Sequence, residues 1–561
     1  MFDYIKLESK KCKNCYKCIR HCPVKSIKLV EDKASIIDAE CILCGECFVV
    51  CPQEAKVLKN DLKKVKKLIE DNEKVVASIA PAFYANFKGV NIKSVEIALK
   101  KLGFYGVEET AVGATIVKKE YERIIEEKEN SDGIVISSSC YSINLLIQKY
   151  YPESIKYLAD VISPMVDHCM DIKRRIEGAK TVFIGPCVAK KAEADKYSEY
   201  VDATLTFEDL TEWLQEKAIE FEEATDDIKE SRARLFPTEG GIIRTMDKTK
   251  QKGFNYIAVD GIEKAKEALT DIASGRIHNC FIEMSACIGS CICGPAMHNK
   301  ERAPITSAIE IRKYAGDKDF VTERPDTESI KANFNYLGTN KQRPGGKMLE
   351  EILRKMGKTL PEHELNCGAC GYDTCREKAY AIYQGKANPN MCLPFLIEKA
   401  DLFSENIIKN MQDGIVVLDE SFNVKQMNDK ALKLFNIKNV NDIIGNHVLR
   451  ILDPTPFVQV AMSKKSIRNE MVYLPEYQKY VEQTIIYDKG YHILMGFYRD
   501  ITEVEKSHEK KERIKNHTIE TTNKVIEKQM RIAQEIASLL GETTAETKIA
   551  LTKLKEALND E

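Results

Sequence analysis

Several features that would place a protein in a membrane or on nucleic acid are missing from this sequence. The first residues, MFDYIKLESK, lack the basic start and apolar run of a secretory signal peptide, and no stretch of about 18 apolar residues follows. Neither sign of charge is in excess, since 84 basic and 86 acidic side chains give a formal net charge of −2. The sequence therefore argues against a membrane-spanning chain, and gives no electrostatic case for nucleic acid or an anionic membrane as a partner.

Cysteine, by contrast, is abundant, with 19 in 561 residues. Because no signal peptide is recognised, we expect a cytoplasmic protein. In a reducing compartment, clustered cysteines bind metal or carry out redox chemistry more often than they form disulfides. The chain is also too long for one core, so its cysteine groups are expected to belong to several domains.

The first 56 residues contain two copies of one cysteine pattern. The copies are Cys12-x2-Cys15-x2-Cys18-x3-Cys22-Pro23 and Cys41-x2-Cys44-x2-Cys47-x3-Cys51-Pro52. In such runs three thiolates hold one iron-sulfur cube and the fourth ligates the other. The predicted ligand groups are therefore Cys12, Cys15, Cys18 and Cys51, and Cys41, Cys44, Cys47 and Cys22. The region resembles bacterial two-cluster ferredoxins; structural zinc is the alternative.

A long α/β region follows a Lys-rich helix predicted at residues 61–72. Buried strands are predicted at residues 75–80, 133–136 and 181–184, and turns with cysteines follow the last two. Open α/β sheets bind ligands at such strand ends. We therefore expect a site where these turns meet.

Three short motifs occur in order in this region: SSSC at residues 137–140, GPCVAKK at residues 185–191 and EMSACIGSC at residues 283–291. Together with APA at residues 80–82, they resemble the active-site signatures of [FeFe]-hydrogenases, over roughly residues 75–345. The resemblance implies a cubane held by four cysteines, one of which bridges to a di-iron subsite carrying CO, CN⁻ and an amine-bearing dithiolate. By motif, the ligands are Cys140, Cys187, Cys287 and Cys291, and Cys291 is the bridge.

The same resemblance assigns residues around the metal. Lys190 matches the lysine that hydrogen-bonds a cyanide, and Pro81 and Ala82 match positions that line the di-iron pocket. An ammonium suits an anionic ligand because of its charge. Glu283, which opens the third motif, and Ser285 are further candidate catalytic residues.

The sequence departs from the family at three positions. Ser139 stands where catalytic members have the cysteine that relays protons, and Ser285 and Gly185 replace methionines. An aliphatic hydroxyl is far less acidic than a thiol, whose reference pKa is about 8.5, so Ser139 is expected to relay protons poorly. The changes favour the sensory branch of the family.

A third cysteine group comprises Cys367, Cys370, Cys375 and Cys392. It resembles the small four-cysteine [4Fe-4S] domain of corrinoid iron-sulfur proteins and of some membrane-complex electron carriers, and zinc is again the alternative. Of the remaining cysteines, Cys169 and Cys280 are expected to be buried core residues. Cys293 is a candidate for a local redox role.

The C-terminal part contains no cysteine and resembles a PAS domain followed by a helical tail. Strands are predicted at residues 414–418, 424–427 and 492–498, and Asn428 is expected to open a helix. In the tail, Val525, Ile532 and Leu539 recur every seven residues, with Ile536 between them, as in a seam for a partner helix. Gly541 is expected to end that helix, and residues 543–546 to cap a final one.

The predicted fold class is multidomain α/β and α+β. The expected parts are a two-cluster ferredoxin domain at 1–58, an [FeFe]-hydrogenase-type domain at 59–345 with a boundary at the breaker residues 343–346, a four-cysteine [4Fe-4S] domain at 346–402, a PAS domain at 403–502 and a signalling tail at 503–561. The expected cofactors are three [4Fe-4S] clusters and one H-cluster.

The predicted function is a sensory [FeFe]-hydrogenase that turns over H2 and protons slowly and reports its redox state to the PAS domain. Two alternatives remain: a catalytic, ferredoxin-linked hydrogenase with a regulatory PAS domain, and a redox sensor without the di-iron subsite. The tail is too short for an ATP-binding kinase domain. A separate kinase, phosphatase or regulator is therefore the expected partner, and a homodimer the expected assembly.

Overall fold

The structure, a computed structural model, describes residues 4–31, 33–128, 133–225, 231–247, 254–298, 303–322, 330–339, 344–540 and 544–559. The chain divides into two compact units, Met1–Phe395 and Leu396–Glu561. Arg343, Gly541 and residue 543, which carried predictions of a boundary and of helix ends, lie outside the described residues, as does the side chain of Leu539.

The N-terminal domain consists of two small antiparallel pairs and two short helices. Strand β1 (Ile5–Leu7) pairs with β4 (Lys56–Leu58), and β2 (Ile27–Val30) pairs with β3 (Lys33–Ile36). Helices α1 (Lys17–Arg20) and α2 (Glu46–Val49) begin within the two cysteine runs. Each run therefore forms a loop that closes on a single helical turn.

The central domain contains two parallel sheets. The first has the order β6-β5-β8-β9 and the second the order β10-β11-β7. Their strands are β5 (Val75–Ile79), β6 (Gly106–Glu109), β7 (Ile134–Ile136), β8 (Lys180–Gly185), β9 (Ala203–Thr206), β10 (Asn255–Asp260) and β11 (Cys280–Ser285). The predicted strands at residues 75–80, 133–136 and 181–184 are confirmed as β5, β7 and β8.

Parallel pairing requires long connections between strands. The helices of this domain precede, connect and follow the parallel strands. They are α3 (Leu62–Asp71), α4 (Phe83–Asn86), α5 (Ile92–Lys101), α6 (Ala111–Lys128), α7 (Tyr141–Tyr150), α8 (Pro164–Arg175), α9 (Ala189–Lys196), α10 (Phe207–Glu216), α11 (Gly241–Thr245), α12 (Ile262–Ala273) and α13 (Pro304–Tyr314). Cys169 and Cys280 are fully buried in the apolar cores, as expected. Cys293 is buried in the first of these cores as well.

The four-cysteine segment has a small core of its own in the same compact unit. Helix α14 (Gly346–Lys355) packs against α15 (Cys375–Tyr383) through an apolar cluster. Thr374 and Glu377 form a capping box that starts α15 immediately at Cys375. Helix α16 (Leu393–Asn410) follows Cys392 directly, and the division between the two units falls within it.

Within its described residues, the second unit contains a five-stranded antiparallel sheet with the order β13-β12-β16-β15-β14. Its elements are β12 (Gly414–Asp419), β13 (Val424–Met427), α17 (Asp429–Leu434), α18 (Thr455–Ser463), β14 (Ile467–Leu474), β15 (Lys479–Asp488) and β16 (Ile493–Asp500). The side chain of Asn428 accepts a hydrogen bond from the amide of Ala431 at 2.9 Å, which confirms that it opens a helix.

The tail forms α19 (Thr502–Leu540) and α20 (Thr544–Asn559). Val525, Ile532 and Ile536 of the predicted seam are exposed, while Ile526 is buried. No helix in the described part of the chain is both long and apolar enough to cross a membrane.

Candidate functional site

The four cysteines of the central motifs follow the ends of parallel strands. Cys140 follows β7 and precedes α7, Cys187 follows β8, and Cys287 and Cys291 follow β11. Their thiols lie close enough to interact: burial, followed by the charges of Cys140 and Cys187, raises the pKa of Cys291 to about 12. Burial and the other three thiols also raise the pKa of Cys287. The fold thus brings together all four predicted ligands.

A cavity of about 110 Å³ adjoins three of these thiols, those of Cys140, Cys187 and Cys291. Most of its other lining is apolar. The residues predicted to surround the metal all line it: Pro81, Ala82, Ser139, Lys190, Glu283 and Ser285. Residues that the motifs did not point to, including Met165 and Phe183, complete the wall.

Lys190 supplies a positive charge at this cavity. Its ammonium donates to Glu193 at 2.5 Å and to the carbonyl oxygen of Ser139 at 3.2 Å. Burial lowers its pKa, but Glu193 and the nearby thiols of Cys187 and Cys140 outweigh burial, so the pKa is raised overall. Lys190 therefore remains protonated at neutral pH.

Ser139 belongs to a buried hydroxyl network centred on Tyr121 of α6. The phenol oxygen of Tyr121 lies 3.0 Å from the Oγ of Ser139 and 3.1 Å from that of Ser138, and accepts the Ser138 amide hydrogen at 2.9 Å. The Ser138 hydroxyl donates to the carbonyl oxygen of Val161 at 2.6 Å. The network fixes Ser139 at the cavity wall.

Glu283 is a buried carboxyl at the start of the third motif, before the ligand cysteines at positions 287 and 291. One of its oxygens accepts the amide hydrogen of Ile243 at 3.0 Å. Burial raises its pKa to about 7, although the amides of Ile243, Ile242 and Gly241 lower it in part. Glu283 can therefore gain or lose a proton near neutral pH.

Close packing around position 185 explains why this residue is a glycine. A Cβ atom there would lie 2.7 Å from Cζ of Phe183 and 3.1 Å from Cβ of Ala80. The ring of Phe183 occupies the space that a side chain at position 185 would need. Phe183, two residues earlier in β8, therefore lines this wall of the cavity. Phe183 was not identified from the sequence because nothing local distinguishes it from a core residue.

Two other residues were also missed. Glu193 could have been recognised, since it follows Lys190 by three residues and opposite charges at that spacing meet on a helix such as α9. Tyr121 gave no such signal, because its contact with Ser139 joins segments 18 residues apart.

The ferredoxin-like cysteines separate into the two predicted groups. The charges of Cys12, Cys15 and Cys51 all act on Cys18, whose pKa is raised to about 11, mainly by burial. Cys22, Cys41, Cys44 and Cys47 line one small cavity together. The fourth cysteine of each run thus lies with the other run.

The third cysteine group surrounds its own small cavity. Cys367, Cys370, Cys375 and Cys392 all line it, and so does Lys378. The Lys378 ammonium is buried and donates to the carbonyl oxygen of Pro389 at 3.1 Å. Burial lowers its pKa, against the attraction of three of these cysteines.

A single metal ion, unlike a cluster, needs several ligands that converge on one point. Within the described residues, no group of three or more Cys, His, Asp or Glu side chains converges closely enough to hold one metal ion. The four cysteine groups are therefore recognised by the closeness of their side chains. The clusters that they would hold belong to the proposed function.

Four family models match the chain. They are the 4Fe-4S dicluster domain at residues 4–52, the C-terminal domain of the iron only hydrogenase large subunit at 73–295, an Fe-S cluster family at 361–394 and the PAS domain at 402–468. The matches confirm the predicted resemblance to [FeFe]-hydrogenases, the additional iron-sulfur and PAS domains, and the mixed α/β and α+β fold class.

Two curated hydrogenases are similar to much of the chain. The periplasmic [Fe] hydrogenase large subunit of Nitratidesulfovibrio vulgaris is 25% identical over 359 residues, which are 52% of this chain and 85% of that protein. The NADP-reducing hydrogenase subunit HndD of Solidesulfovibrio fructosivorans is 24% identical over 331 residues, or 46% of this chain and 56% of that protein. Both resemblances are distant.

Solved structures of two kinds are similar to two different parts of the chain. The apo [FeFe]-hydrogenase HydA1 from Chlamydomonas reinhardtii, as a variant, is 17% identical and covers 50% of this chain and 100% of its own, with a TM-score of 0.41. The PAS domain of nitrogen regulation protein NR(II) from Vibrio parahaemolyticus is 20% identical and covers 18% of this chain and 97% of its own, with a TM-score of 0.16.

Proposed function

We propose that this chain is a sensory hydrogenase, which binds hydrogen, oxidises or produces it slowly, and reports its redox state to the PAS domain. The proposal depends chiefly on Ser139. This hydroxyl lines the cavity at the position where the resemblance expects a proton-relaying thiol, and it is held there by Tyr121. The cavity retains the expected ligands but lacks the expected acid.

The residues at the cavity suit an H-cluster. Three thiols border a mainly apolar space, the fourth thiol interacts with them, and one ammonium supplies a counter-charge. We assign Cys140, Cys187, Cys287 and Cys291 as ligands, with Cys291 as the bridge. When bound, a di-iron subsite would supply the hydrogen-activating chemistry.

The side chains of this chain have separable tasks at the site. Lys190 keeps its charge because Glu193 raises its pKa against burial, and so can donate a hydrogen bond to an anionic ligand. Ser139 can donate or accept a hydrogen bond but is a weak acid, so proton transfer at this position is slow. Glu283, with a pKa of about 7, can hold a proton at the cavity.

The remaining twelve assigned cysteines suit three [4Fe-4S] clusters. We assign them to three groups: Cys12, Cys15, Cys18 and Cys51; Cys22, Cys41, Cys44 and Cys47; and Cys367, Cys370, Cys375 and Cys392. Clusters held by such groups carry single electrons. A ferredoxin-type protein is the proposed external electron carrier.

The PAS domain and the exposed tail are proposed to carry the output. PAS folds serve many signals, so the domain indicates signalling without naming a ligand. The exposed residues Val525, Ile532 and Ile536 suit a helix of a second copy or of a separate kinase, phosphatase or regulator. The cytoplasmic location stays a prediction.

Infrared spectroscopy of the protein matured in its host tests the proposal. We expect CO and CN⁻ bands that respond to hydrogen, together with low turnover. Absence of the bands would leave a redox sensor without the di-iron subsite, and bands with rapid turnover would favour a catalytic hydrogenase. Loss of hydrogen-dependent signalling in Cys367→Ser would support the third cluster as messenger, and unchanged signalling would remove it from that role.

A further inference from the structure

The four-cysteine segment is docked onto the ferredoxin-like domain by a buried ion pair. Nζ of Lys386 lies 2.5 Å from Oε2 of Glu40, and both side chains are at least nine-tenths buried. The main chain at Lys386 also takes part, since its carbonyl oxygen accepts the amide hydrogen of Leu29 at 3.1 Å. Breaking one partner of such a pair costs about 3–5 kcal/mol, because the other charge is left buried and unpaired.

A second contact lies beside the cysteines themselves. Gly371 has φ +92°, and a Cβ there would lie 3.1 Å from Cβ of Ile19. The ammonium of Lys25 donates to the carbonyl oxygen of Gly371 at 3.1 Å, and Arg20 donates to that of Ala369 at 3.2 Å. Because glycine permits this approach, the loop carrying Cys370 packs directly on α1, which leads to Cys22.

Tyr372 fills the space between the two cysteine groups. It is 2% exposed and packs in one apolar cluster with Ile19, Cys22 and Cys370. Tyr372 lines the cavity of the third cysteine group, and it lines a second cavity together with Pro23 and Val24, which directly follow Cys22. Its hydroxyl has no hydrogen-bond partner in the described structure, which leaves packing as the observed role of the side chain.

The ferredoxin-like group that includes Cys22 also faces the central domain. A Cβ at Gly45 would lie 2.5 Å from Cβ of Pro295 and 3.5 Å from Cγ2 of Val188, which adjoins Cys187 in the chain. Lys149 of α7 donates to the carbonyl oxygen of Cys41 at 2.7 Å. The group of Cys22, Cys41, Cys44 and Cys47, called here the junction group, thus contacts both other parts of the unit.

We propose that the junction group is an electron branch point, and that the four-cysteine segment exchanges electrons with it across the Tyr372 contact. The step is a single-electron exchange between two [4Fe-4S] clusters: one is oxidised, the other is reduced, and no bond is made or broken. The proposal rests on the iron-sulfur occupancy of the proposed function but not on hydrogen activation. The branch makes the redox state of the four-cysteine segment follow that of the ferredoxin-like domain.

Electron paramagnetic resonance of the full-length, cluster-loaded chain reduced with dithionite tests the contact without hydrogen. The Cys15→Ala variant removes the first ferredoxin group, leaving the junction group, the four-cysteine group and the cluster assigned to Cys140, Cys187, Cys287 and Cys291. We expect the signals of the junction group and the four-cysteine group to be split by mutual magnetic interaction, and this splitting to be lost when Cys370→Ala is added. No splitting in Cys15→Ala, or a splitting that Cys370→Ala leaves unchanged, would overturn the proposal.

Substitutions at Tyr372 provide a second measurement in the otherwise unchanged chain. Tyr372→Phe keeps the ring and should preserve the wild-type spectrum, whereas Tyr372→Ala should weaken the part of the splitting that Cys370→Ala removes. Identical spectra for the two variants would contradict the role of the contact. Failure of hydrogen to reduce any cluster, with the dithionite splitting intact, would count against hydrogen chemistry while supporting the junction.

Discussion

The phenol oxygen of Tyr121 lies 3.0 Å from the hydroxyl oxygen of Ser139 at the wall of the thiol-lined cavity. The Ser138 hydroxyl hydrogen is committed to the carbonyl oxygen of Val161, so the Tyr121 hydrogen is shared between Ser138 and Ser139. When Tyr121 donates to Ser139, the Ser139 hydrogen is free for the cavity. When Tyr121 donates to Ser138, Ser139 can donate to Tyr121 and face the cavity as an acceptor. Ser139 can thus present either polarity without ionising.

Replacing Tyr121 by phenylalanine should loosen this wall. The variant leaves the buried Ser138 amide without its acceptor, and an unsatisfied buried donor costs about 1–3 kcal/mol. Hydrogen exchange followed by mass spectrometry should show faster exchange in the peptide that contains Ser138. Tyr105→Phe is the control, since this exposed tyrosine should change nothing there. Equal protection in both variants would argue against the hydroxyl network.

Restoring a thiol at position 139 should raise hydrogen turnover. Ser139→Cys supplies an acid with a reference pKa of about 8.5 at the cavity, and positioned acids and bases contribute about 10²–10⁴-fold to rate. We expect an increase toward the lower end of that range in protein with matched infrared bands. Ser139→Ala is the control, because it changes the same position at the cavity without supplying an acid and should not raise the rate. An unchanged rate in Ser139→Cys would contradict the proposal that Ser139 limits hydrogen turnover.

Glu193 should stabilise the unit by pairing with Lys190. The two side chains are 3% and 13% exposed, so Glu193→Gln leaves a largely buried ammonium without its carboxylate. We expect a loss of about 3 kcal/mol, at the lower end for breaking a buried pair, measured by denaturant unfolding of the cluster-free protein. Glu127→Gln, which breaks the exposed pair with Arg123 on α6, should cost less than about 1 kcal/mol. Similar losses in the two variants would show that burial does not increase the contribution of the ion pair to the free energy of unfolding.

Much of the site could be predicted because cysteine spacing constrains geometry directly. The doubled runs predicted the exchange of Cys22 and Cys51 between groups, and the structure places those thiols accordingly. The strands before Cys140 and Cys187 were also predictable, since short β-branched runs in an α/β pattern are buried strands.

What could not be predicted depends on contacts between distant segments. The Lys386–Glu40 pair joins residues 346 apart, and neither side chain lies in a motif. The sequence order places the third cysteine group after the central domain, whereas in the structure this group packs against the ferredoxin-like domain. Only the tertiary structure shows this contact.

Glu283 gives the unit a pH dependence whose sign follows from its raised pKa. Between an unfolded value of about 4.5 and a folded value of about 7, the folded state binds the proton more tightly, so stability falls as pH rises through this window and levels off above it. The difference of about 2.5 pH units corresponds to about 3 kcal/mol. Glu283→Gln can still accept the Ile243 amide hydrogen but cannot ionise, so the variant should lack this slope and be more stable than the wild type at pH 8. Denaturant unfolding at pH 5 and pH 8 measures the difference, and a wild-type slope in the glutamine variant would assign the titration to another group.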